Sequence, residues 1–442
     1  MKFREAIERD LEDLLDLAER VRRATGISPL TENLRTVIAG LGNDHLAQER
    51  RLEEAAFDLR RAWLTLAHRP ADRSLKTPRQ GDVAHVPAGP GIAFGYERDL
   101  DASVLEARGP GYAPTPAGWS GETVLFRSGQ ASLAAILQFA ASRWGHRRAL
   151  TVAHAGAYFE TAALLQAWPS RLMRRAAEDA ADTDIVIAEP VSCDGGFGLC
   201  RRLPRARRLL VLDLTLSGPA HDPTPYLPAV AEGGIVIAYR SGLKLDQAGL
   251  ELANVGIVRV AARARTGAAG EAADSLRTLR GLMGSGLTLD EVAALSAPWF
   301  MDRAYAVRYA GSVFAANRRL AAAIGAQSRV FAADSHPSLL DRPANAPFCA
   351  LRLREDGPAS RYRRLEAILK RECARRGLLA TPGGSFGFRG HRFEAIEPEL
   401  GPPFLRLAMG WREGHSRSGL TELVAEMAAH PSFDALDRAY AR

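Results

Sequence analysis

Short apolar segments alternate with helix-like segments through the middle of this chain, and that alternation limits the folds it can adopt. Five strand-like segments occur there, at residues 149–153, 184–188, 209–214, 235–239 and 255–260. Helix-like segments at 128–143 and 158–168 flank the first of them. Apolar strands of this length, separated by helices, are typical of a largely parallel sheet that is covered on both faces. The sequence therefore predicts an α/β fold.

The chain before this region is predicted to be helical. Residues 1–69 carry apolar side chains at helical spacing. Gly26 is the expected stop of a first helix, Thr31 and Asp44 are the expected caps of the next two, and Pro70 is expected to end the last one.

Three parts are predicted along the chain. Residues 1–120 combine the helices with a stretch rich in proline and glycine. Residues 121–298 form the large α/β domain, and residues 299–442 begin with a long linker helix and continue as a small α+β domain. In the last part, the pattern predicts strands at 348–353 and 404–409, and helices at 360–376 and 421–429.

Composition narrows the classes of function. Hydrophobic residues make up 47% of 442 residues and charged residues 25%, which is ordinary for a globular protein. No apolar run reaches the roughly 20 residues that span a membrane, and the charged start is unlike a signal peptide. The net charge of +7 is scattered, and the four cysteines lack metal-site spacing. We expect a cytoplasmic protein with free thiols, no metal site, and neither nucleic acid nor membrane as a partner.

Lys244 draws attention because this chain has only four lysines among its 58 basic residues. It follows the apolar segment 235–239, at the end of a predicted buried strand. Burial disfavours the charged form of an amine and lowers its pKa, and such an amine is a good nucleophile toward carbonyls. The alternative is a lysine on an exposed loop.

Two further segments suit a ligand that carries an anionic group and a cationic ring. Ser128, Gly129 and Gln130 open a helix, where backbone N–H groups and the helix dipole favour an anion such as phosphate. Asp213 ends a predicted buried strand, and a protonated pyridine nitrogen would supply the cation that a buried carboxylate needs. The alternatives are an ordinary helix cap and a loop-capping aspartate.

Aromatic and basic side chains complete this set. His154 and Tyr158 follow another predicted strand, where a flat ring could stack on a cofactor. Arg406 lies inside an apolar strand and cannot lose its charge, so it must meet an anion. That anion is either a substrate carboxylate, bound through two parallel hydrogen bonds, or a structural partner.

Taken in order, these segments resemble motifs of the fold type I pyridoxal-phosphate (PLP) enzymes, which are aspartate aminotransferase-like. The spacing looks most like the cysteine/methionine-metabolism branch, which includes cystathionine synthases and lyases. The matching segments lie within residues 121–430 and are Ser128-Gly-Gln-Ala-Ser132, His154-Ala-Gly-Ala-Tyr158, Leu212-Asp-Leu-Thr215, Arg240-Ser-Gly-Leu-Lys244 and Leu405-Arg-Leu-Ala-Met-Gly410.

The resemblance implies a mainly parallel seven-stranded sheet in the large domain, a small C-terminal α+β domain and, here, an N-terminal helical extension. It implies PLP bound as a Schiff base to Lys244, with Asp213 on the pyridine nitrogen and His154 on the ring. The phosphate site would comprise Ser128, Gly129, Gln130, Thr215 and Ser241. Arg406 would bind the substrate α-carboxylate beside Tyr158, with Tyr112 as a further substrate contact. Ser192 and Asp194 fall where the branch places residues near the phenolic oxygen of the ring.

The implied protein is a homodimer or tetramer whose active site lies between subunits. The implied reaction converts an amino acid through an external aldimine and a quinonoid, with elimination at Cβ or Cγ, or replacement at Cγ. Leu243 stands where the branch has threonine, and His154 where it has tyrosine, so an aminotransferase is a second interpretation. A third is a non-catalytic sensor that binds a partner through residues 1–69.

Overall fold

The structure, a computed structural model, describes residues 2–30, 33–146, 148–156, 158–177, 180–193, 196–200, 202–325, 328–355, 357–398 and 401–441. Helices dominate the part before residue 119. In chain order, its elements are α1 (Lys2–Thr25), α2 (Leu34–Gly40), α3 (His45–Asp72), β1 (Ala84–His85), β2 (Gly91–Ile92), α4 (Ser103–Glu106) and α5 (Gly109–Tyr112).

In the part of the chain that the structure describes, a seven-stranded sheet forms the centre of the molecule, in the order β3-β11-β10-β9-β6-β4-β5. Six of these strands run in one direction, and β11 runs against both of its neighbours. The predicted, mainly parallel α/β sheet is therefore confirmed. The elements of this region are β3 (Trp119–Phe126), α6 (Gly129–Trp144), β4 (Leu150–Ala155), α7 (Phe159–Ala167), β5 (Met173–Arg175), β6 (Asp182–Ala188), β7 (Val191–Cys193), β8 (Phe197–Leu199), β9 (Arg205–Asp213), β10 (Ile235–Ser241), α8 (Gly242–Leu245), β11 (Gly256–Arg263) and α9 (Ala268–Leu282).

The C-terminal part, as far as it is described, contains a four-stranded sheet in the order β12-β15-β14-β13. Its mixture of helices and strands agrees with the predicted small α+β unit. The elements are α10 (Leu289–Leu295), α11 (Arg303–Ile324), β12 (Cys349–Leu351), α12 (Ala359–Arg375), β13 (Ala380–Pro382), β14 (His391–Ile396), β15 (Phe404–Ala408), α13 (His415–Ala428) and α14 (Phe433–Ala439). Across the described ranges, no helix is long and apolar enough to cross a membrane.

Apolar side chains bury both faces of the large sheet. Because side chains alternate along a strand, Val211 and Ile237 enter the cluster that α6 and α9 cover. Their neighbours Leu210 and Val236 enter a separate cluster. The central parts of these strands are therefore continuous apolar runs, and polar residues follow where the strands end.

Helices α1 and α3 belong to the same apolar cluster as α10 and α11. Trp63 of α3 is fully buried, and its indole N–H donates to the carbonyl oxygen of Ala294 at 2.7 Å. Its ring centroid lies 5.9 Å from that of Trp299. Because this cluster crosses residues 120 and 298, the predicted domain division at those residues stays a prediction.

A buried network of charges ties α1 to the segments on either side of β14 and β15. Arg389 binds Asp13 at 2.8 Å and also pairs with Asp10, while Arg412 lies 3.3 Å from Asp10. Tyr305 donates its hydroxyl to Asp13 at 3.1 Å. Burial alone would raise the pKa of Asp10, but the two arginines outweigh it and hold that pKa below its usual value.

The helix caps partly follow the sequence. Gly26 takes a left-handed φ of 73° directly after α1, and Asp44 caps α3 by accepting a backbone N–H at 2.9 Å. The cap predicted at Thr31 lies outside the described residues. The cap observed on α2 is Asn33, whose side chain accepts the N–H of Thr36 at 3.3 Å.

Two predicted helix boundaries are wrong, and two strands of the large sheet were not predicted. Helix α3 continues to Asp72 instead of ending before Pro70, because a proline in a last turn removes only one hydrogen bond of the helix. Strands β3 and β5, which are the two edges of the large sheet, were not predicted. Helix α13 begins at His415 rather than at residue 421, since the serine and glycine in its first turns weaken the sequence signal.

Replacing Asp10 with alanine should lower the free energy of unfolding by about 3–5 kcal/mol, because Arg389 and Arg412 would lose a buried counter-ion. Urea denaturation measures the change. The matched control is Glu8→Ala, which removes an ion pair with Arg35 that is 54% exposed on both sides. Exposed pairs contribute little, so equal losses in both variants would contradict the assigned role of the network.

Candidate active site

Polar residues stand at the ends of four strands of the large sheet that run in the same direction. His154 lies one residue before the end of β4, Asp213 ends β9 and Ser241 ends β10. Ser128 follows β3 and caps α6. Carboxyl ends of parallel strands meet at one edge of a sheet, which is where open α/β sheets bind ligands. The structure therefore brings these predicted residues together.

Partial exposure distinguishes the predicted site residues from the buried strands that carry them. Apart from Ser192 and Asp194, eleven site residues are predicted, and of these only Tyr112 is fully buried, with 1% of its surface exposed. The ten half-buried residues are Ser128, Gly129, Gln130, His154, Tyr158, Asp213, Thr215, Ser241, Lys244 and Arg406. These side chains can thus contact a bound molecule without a rearrangement of the core.

The first turn of α6 lies directly against the end of β10. Ser128 accepts the N–H of Ala131 at 3.1 Å, and a Cβ on Gly129 would lie 3.4 Å from the backbone nitrogen of Ser241. The N–H of Ser241 donates to the hydroxyl of Thr215 at 3.2 Å. Backbone N–H groups at a helix start, with hydroxyls beside them, can hold an anion.

The carboxylate of Asp213 accepts two hydrogen bonds, from the N–H of Thr215 at 2.9 Å and from the hydroxyl of Tyr239 at 3.0 Å. Among the described residues, no lysine or arginine pairs with it. Burial, which outweighs these hydrogen bonds and is reinforced by Glu189, raises the pKa of Asp213 to about 6. A cation at this position would stabilise the ionised carboxylate.

Glu189, which directly follows β6, binds residues of the loop after β4, a role that the sequence did not indicate. Its carboxylate lies 2.9 Å from His154 Nε2 and accepts the N–H of Tyr158 at 3.2 Å. A Cβ on Gly156 would lie 2.4 Å from the Glu189 carboxyl carbon, so only glycine fits. Burial and then Glu160 raise the pKa of Tyr158, which keeps its hydroxyl protonated.

Lys244 lies in the short helix α8, directly after β10. Its amine donates a hydrogen bond to the hydroxyl of Ser385, and the ring of Phe386 lies 5.4 Å from Nζ. Burial, and next the charge of Arg406, lower the pKa of Lys244 to about 8. The neutral, nucleophilic amine is therefore populated at a lower pH than in an ordinary lysine.

Ser385 was also missed in the sequence. It lies between β13 and β14 with a left-handed φ of 73°, which is uncommon for a residue other than glycine. Its N–H donates to Glu394 at 3.2 Å while its hydroxyl receives the Lys244 amine. Gly383 and Gly384, which precede it, mark a turn in the sequence but give no sign of a contact with Lys244.

Arg406 meets its anion within the chain, since its guanidinium pairs with Glu394. The rings of Phe348 and Phe386 lie 5.6 and 6.0 Å from its Cζ. Burial lowers the pKa of Arg406 to about 10. The structural partner considered in the sequence analysis is thus present, and binding of a substrate carboxylate by Arg406 stays a prediction.

Three further sequence candidates are either buried or outside the described residues. The ring of Tyr112 packs 4.7 Å from the guanidinium carbon of Arg240, and its buried hydroxyl has no hydrogen-bond partner among the described residues. Ser192 is buried in β7 with 6% exposed. Asp194 lies outside the described residues. Tyr112 thus packs against β10 and is buried, unlike the ten half-buried candidates.

Replacing Arg406 with glutamine should raise the pKa of Lys244, because a nearby positive charge that disfavours the ammonium is removed. Competitive labelling with acetic anhydride, followed by peptide mapping, gives the titration of Lys244, with a midpoint near pH 8 expected in the unaltered protein. Exposed Lys370 is the internal reference, and Arg363→Gln, on the distant helix α12, is the control. An unmoved midpoint in Arg406→Gln would show that the two charges do not interact.

Comparison with known proteins gives matches only among solved structures: no family model and no curated protein sequence matches the chain. Methionine gamma lyase from Micromonospora echinospora is 18% identical, with a TM-score of 0.52 over 84% of this chain and 98% of that one. Cystathionine gamma-lyase from yeast is 14% identical, with a TM-score of 0.56 over 83% and 98%. Cystathionine gamma synthase from Xanthomonas oryzae pv. oryzae is 14% identical, with a TM-score of 0.54 over 84% and 99%.

At these identities, the likeness establishes the fold. The matched proteins are the lyases and synthases that the motifs resemble, and the matches extend over almost their whole length. The prediction of an aspartate aminotransferase-like fold type I architecture is therefore confirmed. This chain has the fold of the cystathionine synthase and lyase branch.

Proposed function

We propose that this protein is a PLP-dependent enzyme that acts on an amino-acid substrate. The observation that carries the proposal is the meeting of Lys244, Asp213 and the first turn of α6 at one partly open sheet edge. A half-buried amine of lowered pKa suits Schiff-base formation with an aldehyde. The solved structures with the same fold are named as lyases and synthases of amino acids, which supports the same class of chemistry.

The residues of the site fit PLP. Asp213 has no cationic partner among the described residues, and a protonated pyridine nitrogen would attract it by about 4 kcal/mol before desolvation, at an effective dielectric near 20. The start of α6, together with Ser241, offers N–H and hydroxyl groups to a phosphate. Lys244 offers the amine for the aldehyde, and His154, fixed by Glu189, offers a flat ring to the pyridine.

The side chains of the site have different roles toward the substrate. When bound, PLP supplies an electron sink for negative charge at the substrate Cα. Once the substrate amine has replaced it on the aldehyde, the freed neutral amine of Lys244 would take the Cα proton, and its pKa of about 8 suits a base that works near neutral pH. Arg406 orients the substrate carboxylate through two parallel hydrogen bonds, and Asp213 keeps the proton on the pyridine nitrogen. Ser385 positions the Lys244 amine.

The proposed reaction is elimination at Cβ or Cγ of the amino acid, or replacement at Cγ. The names of the matched solved structures, which are gamma-lyases and a gamma synthase, support that choice over transamination. Lys244 would carry the proton from Cα and return it later in the same turnover, because it is the half-buried base at this edge.

Addition of PLP to the purified protein, followed by removal of unbound PLP, should leave a visible absorption band, and borohydride reduction should fix the label on Lys244. Peptide mapping of the reduced protein identifies the labelled lysine. Lys244→Ala should abolish the band, while Lys370→Ala, which alters an exposed lysine, should leave it unchanged. A label on Lys76 or Lys370, or no band at all, would refute the proposed function.

Incubation with L-methionine or L-cystathionine should release a 2-oxo acid, ammonia and the thiol that leaves from Cγ, with the cofactor returned unchanged. Coupled assays of the oxo acid and of ammonia measure this. Lys244→Ala should lower kcat at least about 100-fold, since a positioned acid–base group contributes that much or more. Oxo acid formed together with one equivalent of pyridoxamine phosphate would indicate an aminotransferase instead. PLP binding without turnover of any amino acid would favour the sensor interpretation.

A further inference from the structure

Glu394 stands directly opposite Arg406 in the ladder between β14 and β15, and the two side chains form an ion pair. Both are half-buried, with 23% and 18% of their side chains exposed. Glu394 contacts the Nη2 atom of Arg406. The Nε atom is buried and has no hydrogen-bond partner among the described residues. The guanidinium is therefore neutralised but keeps an unused donor.

Glu394 is also linked to the lysine of the site. It accepts the N–H of Ser385 at 3.2 Å, and the hydroxyl of Ser385 accepts a hydrogen bond from the Lys244 amine. The ring of Phe386 lies 5.4 Å from Lys244 Nζ and 6.0 Å from Arg406 Cζ. One carboxylate thus contacts both the arginine and the loop that holds the lysine.

We propose that Glu394 is the resting counter-ion of Arg406, and that the carboxylate of an incoming substrate takes its place. This inference rests on the proposed function, in which Arg406 receives the α-carboxylate. Once displaced from the guanidinium, Glu394 no longer holds Ser385 in its resting position. Glu394 therefore determines which ligands enter, and arrival of a carboxylate is coupled to the Ser385 hydroxyl that Lys244 contacts.

The exchange follows from the charge and geometry of the guanidinium. Arginine cannot lose its proton, so a half-buried Arg406 must keep an anion in every state. A substrate carboxylate gains only the difference between its own contact and that of Glu394. It can win because a free carboxylate can engage Nε and an Nη atom together, as parallel hydrogen bonds, whereas Nε is unused in the resting pair. A ligand without an anionic group cannot displace Glu394.

Calorimetric titration of the purified full-length protein with propionate tests the exchange. Propionate has a carboxylate but no amine, so it reports on the anion site without Schiff-base chemistry. Glu394→Gln should bind propionate about tenfold more tightly than the unaltered protein, because the competing charge is gone while an amide oxygen remains for Ser385. Glu394→Gln combined with Arg406→Gln should lose this gain.

The matched control is Glu251→Gln. Glu251 pairs with Arg392, a neighbour of the same loop, and it is 36% exposed. Its replacement should leave the affinity for propionate unchanged. Equal affinity in Glu394→Gln and the unaltered protein, or an equal gain in Glu251→Gln, would overturn the proposal. If Glu394→Gln does not fold, Glu394→Asp, which withdraws the charge by one methylene, should give a smaller gain, and no gain would overturn the proposal.

The outcome of the propionate titration is independent of the outcome of the PLP labelling, so the two proposals can be refuted one at a time. Tighter binding of propionate by Glu394→Gln in a protein that does not label at Lys244 would support the exchange while refuting the proposed enzyme. Labelling at Lys244 with unchanged propionate affinity would leave the enzyme standing and refute the exchange.

Discussion

Arg389 lies buried between α1 and the strand β14, and it keeps its charge there because a guanidinium cannot lose its proton. Every buried arginine sets the same requirement, and the fold meets it with acidic residues, most of them from distant parts of the chain. The four buried arginines among the described residues each face an acidic side chain: Arg240 with Asp246, Arg280 with Glu106, Arg389 with Asp10 and Asp13, and Arg412 with Asp10.

This requirement joins the N-terminal helices to the site. Asp10 and Asp13 of α1 hold Arg389, which follows the loop that carries Ser385. In that loop, a Cβ on Gly387 would lie 2.5 Å from the carbonyl oxygen of Lys244, so the two backbones are in direct contact. The N-terminal helices, which the sequence predicts as an extension of the fold, are therefore part of the framework that positions Lys244.

The sequence predicts those site residues whose position depends only on where their own strand ends. Asp213, Ser241 and Lys244 follow apolar runs, and parallel pairing brings such ends together whatever the rest of the chain does. Glu189 and Glu394 could not be predicted. Their roles depend on which side chains other strands place opposite them, and a carboxylate in a sequence does not show its partner. For the same reason, the sequence left open which anion Arg406 would meet.

Strand β3 has one neighbour in the large sheet, β11, and Phe126 pairs with Gly256, far along the chain. A Cβ on Gly256 would lie 2.2 Å from the carbonyl oxygen of Ser128, so β11 also presses against the turn that opens α6. During synthesis, this turn emerges long before the strand that supports it. Pairings between distant segments form slowly. The turn that opens α6 therefore gains this support only after β11 has been synthesised and has joined the sheet.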